Sequence, residues 1–389
     1  MTKITRRGLL GGAVAASGLG ATAAQAAGPI KLGASLSLTG RFSDSAKYTQ
    51  EGYLLWVAQT NAAGGIAGSQ VVLTVYDDES NPDTGRVLAQ RLIDRDGVVA
   101  ILGPYSSPIT DAEAVVVERA QVPMLGTIAS DSSIWTRRNF HWSFQAFPSS
   151  DYDHEGFLNV LHEKGPDVRK LAIVFEQSPF SIAGKNWAMG TATQMGLDAQ
   201  AYGYAPGAQD FRSIIEQMVT AGTQALSMGG YSQPSIALTR QMIERGFNPV
   251  GYNFIESSDE VTKAALGANA EAIFGRSAWQ ITVDTPANKA FVAAYQARFK
   301  RAPSYHSAAA YSAGETIAAA IKAKGATRAG IRDYLATTPV PTLLGTFRVN
   351  AEGQQVGYRY VTTQWQKGTP LVVGKNSTIP IEWPKPKWS

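Results

Sequence analysis

The chain has 389 residues, 44% hydrophobic and 17% charged, which is material for two domains or two lobes with sizeable cores. Its formal charge is +4, but Lys3, Arg6 and Arg7 supply three of those positives, so the stretch from residue 27 onward is close to +1. No basic stripe carries interleaved aromatics, which argues against nucleic-acid binding. The lack of cysteine excludes disulfide and thiolate chemistry.

Residues 1–26 read as a twin-arginine export signal. Thr5-Arg6-Arg7-Gly8-Leu9-Leu10 leads into a Gly/Ala-rich apolar stretch, and Ala24-Gln25-Ala26 fits a small-residue cleavage site. An exported, periplasmic protein starting near Ala27 is expected. No later stretch is long and apolar enough to span a bilayer.

From there strands and helices alternate. Pro29 to Leu38 reads as a first strand, ending in the polar loop Thr39–Asp44. Tyr48 to Asn61 is an amphipathic helix, with Gly52, Leu55, Trp56 and Gln59 on one face, stopped by Asn61-Ala62-Ala63-Gly64-Gly65. Val71 to Tyr76 is a second strand and Pro82 to Asp94 a second helix. Val98 to Leu102 is a continuous apolar run, expected of a buried parallel strand; Gly103-Pro104 breaks it. Ser107 before Pro108 reads as the N-cap of a helix reaching about Ala120, whose free N–H groups suit an anion.

Val122 to Gly126 is a short strand, Thr127 to Ser133 a polar loop, Asn139 to Phe144 a linking strand, and Pro148–Asp151 a hinge. A second α/β series follows: helix 152–164, strand Lys170 to Phe175, helix Ile182 to Met195, strand Ala199 to Tyr204, helix Phe211 to Ala221, strand Ala225 to Gly229, helix 234–245 and strand Val250 to Ile255. Helices Ala287 to Phe299, Ser307 to Ala323 and Arg328 to Ala336 come next. Thr346 to Val373 reads as a β-hairpin and 374–389 as irregular. The fold class expected is α/β, with two doubly wound lobes around a cleft. Residues 27–147 and 280–340 would form one lobe, and 148–279 and 341–389 the other.

Catalytic signatures are absent. Gly230-Tyr231-Ser232-Gln233-Pro234 begins like a nucleophile elbow but ends in Pro, and there is no Walker loop or dinucleotide fingerprint. His141, His154, His162 and His306 have no metal-ligand spacing, and Asp77-Asp78-Glu79 reads as a loop after a strand rather than a cation site.

In order and spacing, Thr39-Gly40, Asn61-Ala62-Ala63-Gly64-Gly65-Ile66, Asp77-Asp78, Ile101-Leu102-Gly103-Pro104 with Ser106-Ser107, Val122-Pro123-Met124 and Leu344-Gly345-Thr346-Phe347 resemble a known family. The chain is similar to type I periplasmic binding proteins of the branched-chain amino-acid (leucine/isoleucine/valine-binding) group, solute receptors of ABC importers. The resemblance implies a ligand carboxylate at Ser107, with Ala129 and Ser130 contributing from the next loop. It implies that Tyr231 and Glu256 come from the second lobe, Glu256 meeting the ligand ammonium. Tyr105 and Phe180 match pocket-wall positions, with Tyr305 or His306 adding to the far wall. Ser45 stands where a bulky aromatic is common, so the pocket departs from the family there. The resemblance further implies ABC permease subunits as partners, a monomer, no cofactor and no catalytic turnover. A receptor for aromatic or short-chain carboxylates or amides is the alternative, and an exported α/β hydrolase a more distant one.

Overall fold

The computed structural model describes residues 28–375 and 377–389; the expected export signal lies outside them. The first half is a five-stranded, all-parallel sheet. Its strands are β1 (Ile30–Leu36), β2 (Val71–Asp77), β3 (Ala100–Leu102), β4 (Met124–Gly126) and β5 (Ser143–Gln145). They are linked by helices α1 (Ser43–Ala62), α2 (Pro82–Asp94), α3 (Ser107–Ala120) and α4 (Ser133–Arg138). The strand order β2-β1-β3-β4-β5 reverses direction between β1 and β3, so the loops after those two strands diverge over a crevice.

The second sheet repeats the device. Helix α5 (Glu155–Lys164) leads into β6 (Lys170–Glu176), α6 (Pro179–Gln194), β7 (Asp198–Tyr204), α7 (Arg212–Ala221) and β8 (Ala225–Gly229). Then come α8 (Ser232–Arg245), β9 (Gly251–Phe254), α9 (Glu260–Leu266) and β10 (Phe274–Ser277). Its switch point lies between β6 and β8. The chain then returns to the first sheet with α10 (Pro286–Phe299), α11 (Tyr305–Lys324) and α12 (Arg328–Thr337) and a short ribbon, β11 (Val340–Thr342) with β12 (Gly345–Phe347). It crosses once more to add β13 (Val361–Gln366) and β14 (Thr369–Val373), completing seven strands. Among the described residues no helix is long and apolar enough to cross a membrane.

Local chemistry accounts for most boundaries. Asn81 caps α2 through Asp83 and Thr84 N–H, with Pro82 following, and Ser304 forms a capping box with Ser307 at α11. Lys367 and Gly368, both at positive φ, make the two-residue turn between β13 and β14. Helices α1 and α11 approach closely because Gly52 and Gly314 have no side chain. A Cβ on Gly52 would stand 2.2 Å from Ser307 O, and one on Gly314 2.1 Å from the Trp56 ring.

Several readings are corrected. The cap of α3 is Ser106, not Ser107; Ser107 is already helical and Pro108 sits in the first turn. Residues 139–144 are not one strand: the helix α4 precedes a three-residue β5. Helix α6 starts at Pro179, three residues before the expected Ile182, with Ser178 as its cap residue. The expected hairpin over 346–373 is split between the ribbon β11–β12 and the true hairpin β13–β14. Val340 and Phe347 are buried in the core beneath the first sheet, so the ribbon packs with that sheet rather than the second. Residues 377–389 contain no regular element but are pinned to the second lobe: Lys385 N–H donates to Val250 O at 2.7 Å and Trp388 Nε1 to Phe247 O at 2.8 Å.

Candidate functional site

The carboxyl ends of the parallel strands of the two sheets lie at one shared cleft, where loops from both meet. Tyr105, Ser106 and Ser107 come from the β3–α3 junction, Ile128 and Ser130 from the loop after β4, and Tyr305 from the start of α11. Phe180 from α6, Tyr231 from the β8–α8 junction, Glu256 after β9 and Arg276 in β10 come from the other side. The loops on the first sheet are braced from behind. The Tyr53 hydroxyl lies 2.8 Å from Gly103 O and 2.7 Å from Thr127 Oγ1.

Polar contacts order the cleft. Ser107 Oγ accepts from Ser130 N–H and Asp131 N–H, both at 3.2 Å, so its own proton is free to be donated into the cleft. Glu256 is buried and accepts from Tyr105 Oη at 3.0 Å on one oxygen and from Ser232 N (2.9 Å) and Oγ (2.7 Å) on the other. The Tyr105–Glu256 bond crosses from lobe to lobe. Further ties do the same: Arg41 to Glu176 at 3.4 Å, Gln233 to Asp44 at 3.2 Å and His306 Nδ1 to Asp259 at 3.0 Å. Around them Tyr231 packs against Phe42 and Phe180, with ring centroids 4.6 and 5.0 Å away. Burial raises the Glu176 carboxyl above the usual range, opposed by the Arg41 guanidinium. The lobes are shut on one another: about 20 Å³ of free space remains, room for one water molecule.

Of the residues singled out from sequence, Ser107, Ser130, Tyr105, Phe180, Tyr231 and Glu256 line this one cleft. Two do not. Ala129 is fully buried in the first lobe, its carbonyl accepting from Gln145 Nε2 at 3.3 Å. Ser45 lies in the first turn of α1, where its hydroxyl meets the Tyr105 phenol from behind. Sequence reasoning missed Arg276. It is 6% exposed, its Nε lies 2.5 Å from Asp153 Oδ1, and its guanidinium stacks on the Tyr360 ring at 4.2 Å. The only mark in the sequence is an arginine inside a short strand between buried neighbours.

The remaining candidates resolve as structure. Asp77 accepts from Leu38 N–H, Thr39 N–H and Thr39 Oγ1, and Asp78 from Ser37 Oγ and Ser80 N–H, so the two carboxylates tie the loop after β1 to the loop after β2. No metal-holding cluster of His, Cys, Asp or Glu occurs among the described residues. His154 is buried against Ser227 at 2.7 Å. A larger groove of about 730 Å³ lies on the second lobe between α5 and β10, β13 and β14; Asp153 and Tyr360 line it, and Arg276 lines both it and the cleft.

The two open α/β sheets with a shared cleft define a class of solute-binding protein, and the comparisons agree. The periplasmic binding protein family matches residues 29–370, and the chain belongs to that family. It is 29% identical to Leu/Ile/Val-binding protein homolog 8 of Brucella suis biovar 1 (strain 1330), over 81% of this chain and 82% of that protein. Two solved structures share the fold. One is the isoleucine complex of the branched-chain amino acid transporter substrate-binding protein LivJ of Streptococcus pneumoniae. Its TM-score is 0.79 at 22% identity, covering 88% of this chain and 97% of that one. The other is a solute-binding protein of an ABC transporter from R. palustris in complex with benzoate. Its TM-score is 0.78 at 17% identity, covering 89% and 96%.

Proposed function

We propose that the protein is an exported solute receptor that captures a small amino acid between its lobes and presents it to the permease of an ABC importer. The observation that carries this is the division of labour in the cleft. The first lobe offers the Ser107 hydroxyl and the start of α3 to a carboxylate. The second offers the Glu256 carboxylate to an ammonium. A zwitterion bound at both ends joins the lobes, and burial strengthens each charge-assisted bond, so the ligand stabilises the closed form. With only about 20 Å³ free when shut, the lobes must separate to admit it.

The family membership and the Leu/Ile/Val-binding relative support this reading, as does the isoleucine held by the S. pneumoniae structure. Glu256 favours an α-amino acid over a plain carboxylate, because a buried carboxylate facing an anion is costly. Ser107, Ser130, Tyr231 and Glu256 are the proposed contacts to the amino-acid head, and Tyr105 and Phe180 the walls. The proposal includes twin-arginine export, a periplasmic location, a monomer and no catalytic turnover. It also places 280–347 with the first lobe, because the β11–β12 ribbon packs there.

A thermal-shift screen tests the reading. Ligands that bind only the folded state raise Tm, by an amount that grows with concentration over Kd. An amino acid is expected to raise Tm while benzoate and 3,4-dihydroxybenzoate do not. A rise with the aromatic acids alone would replace this reading with that of an aromatic-acid receptor.

A further inference from the structure

Arg276 is the feature of the cleft that a leucine-type ligand does not use. Its charge is matched by Asp153, itself buried beside the hinge, and Tyr360 covers one face of the guanidinium. These partners fix the side chain but leave donors over: Nη1 is buried and has no hydrogen-bond partner. The Tyr305 hydroxyl, from the other lobe, is buried and unpartnered too. Both residues line the same cleft as Ser107, Ser130 and Glu256. Buried donors without acceptors are rare because each forfeits its water without replacement, and two from opposite lobes in one cleft call for a common acceptor.

We propose that Arg276 and Tyr305 form a second polar subsite, and that the ligand is an amino acid whose side chain ends in an oxygen acceptor, a carboxylate or carboxamide, rather than a branched aliphatic chain. This rests on the receptor reading above and sharpens its ligand. The head group spans Ser107 and Glu256; the side-chain oxygen receives Nη1–H of Arg276 and the Tyr305 O–H. An aliphatic side chain there leaves both donors desolvated and unpaired, which is how a site built for hydrogen bonding rejects an isostere that lacks them. The planar guanidinium, clamped by Asp153 and Tyr360, is pre-organised for an oxygen acceptor in a way a lysine would not be.

Calorimetric titration of the mature chain with glutamate, glutamine, aspartate, asparagine, leucine and isoleucine tests this. At least one acceptor-bearing amino acid is expected to bind about tenfold or more tightly than leucine and isoleucine, the range expected for hydrogen bonds to a charged group. The acidic and amide arms decide between carboxylate and carboxamide. Tyr305→Phe, which removes only the unpaired hydroxyl, should weaken the preferred ligand severalfold and so narrow its advantage over leucine, with no fall in Tm. Arg276→Met should abolish the preference. Because that variant leaves Asp153 buried alone, the Asp153→Asn/Arg276→Met double variant is measured beside it and should show the same loss. Leucine or isoleucine binding as tightly as every acceptor-bearing amino acid, with Tyr305→Phe and the double variant silent, would overturn the subsite and leave the receptor reading standing. Binding of no amino acid would overturn both.

Discussion

At the scale of single residues, Ser107 and Glu256 each hold the local fold together at the position proposed to meet the ligand. Ser107 Oγ satisfies two backbone N–H groups of the neighbouring loop while keeping a proton to give. Ser107→Ala therefore has two expected effects. It leaves buried donors unpaired, lowering stability by about 1–3 kcal/mol in ligand-free thermal unfolding, and it weakens ligand binding. A variant with wild-type Tm and wild-type affinity would show that the hydroxyl does neither. Glu256 accepts two bonds from Ser232 on one oxygen but only the Tyr105 phenol on the other, which leaves that oxygen a lone pair for a further donor. Both were singled out in the sequence because they stand just after strands, Ser107 at the start of α3 and Glu256 in the loop after β9, where spacing to the strand carries the information. Arg276 was not: it lies within a strand, and only the fold shows that this strand edge borders the cleft. Ala129 lies in the loop after β4 and Ser45 in the first turn of α1, but the direction of a side chain or carbonyl is decided by packing, by Gln145 in one case and Tyr105 in the other.

At the scale of elements, most of the strand–helix alternation was readable, because several of the parallel strands are continuous apolar runs and most helices follow a Ser, Thr, Asp or Asn; α4, α9 and β10 were not anticipated. Boundaries failed where two signals compete. Ser106 and Ser107 are both good caps, and Pro108 tolerates either, since its missing N–H falls in the first turn. Pairing of elements was not readable at all. Nothing local indicates that the Gly52 face of α1 meets α11, yet Gly314 sits against Trp56 so closely that a methyl group cannot be added without displacing the ring. Gly314→Ala should lower the free energy of unfolding by about 1–3 kcal/mol in denaturant titration, through overpacking. Beneath the same sheet, Glu113 is fully buried, accepting from Ser35 Oγ on one oxygen with no partner on the other. Burial raises its carboxyl well above the usual range, and burial likewise pushes the neighbouring Asp78 up to about 6. A folded-state pKa above the unfolded value favours the protonated form, so this contribution is fully present below the unfolded pKa. It is lost as pH rises through the folded one. Glu113→Gln should accordingly match wild type in Tm below the ordinary carboxyl pKa and exceed it increasingly as pH rises above that. A difference that shrinks with rising pH would contradict the assignment.

At the scale of the whole molecule, the topology makes the site. Each sheet has a switch point, between β1 and β3 in one and β6 and β8 in the other, and the chain crosses between lobes so that the two crevices oppose. The lobes touch through a few hydrogen bonds and ion pairs and an aromatic cluster centred on Tyr231. Arg41→Ala removes the guanidinium that reaches Glu176 and stacks on Phe42 at 4.3 Å. Small-angle scattering of the ligand-free variant is expected to show a larger radius of gyration than wild type, and saturating ligand should restore the compact form. Equal radii without ligand would show that this contact does not hold the lobes together. The central claim is that Glu256 recognises the ammonium of an amino acid. Titration calorimetry of wild type and Glu256→Gln with the amino acid that raises Tm most tests it directly. Saturable binding to wild type is expected, with at least about tenfold weaker binding to Glu256→Gln, the loss expected for a charge-assisted bond. Equal affinity of the two proteins, or tighter binding of benzoate than of any amino acid, would contradict it.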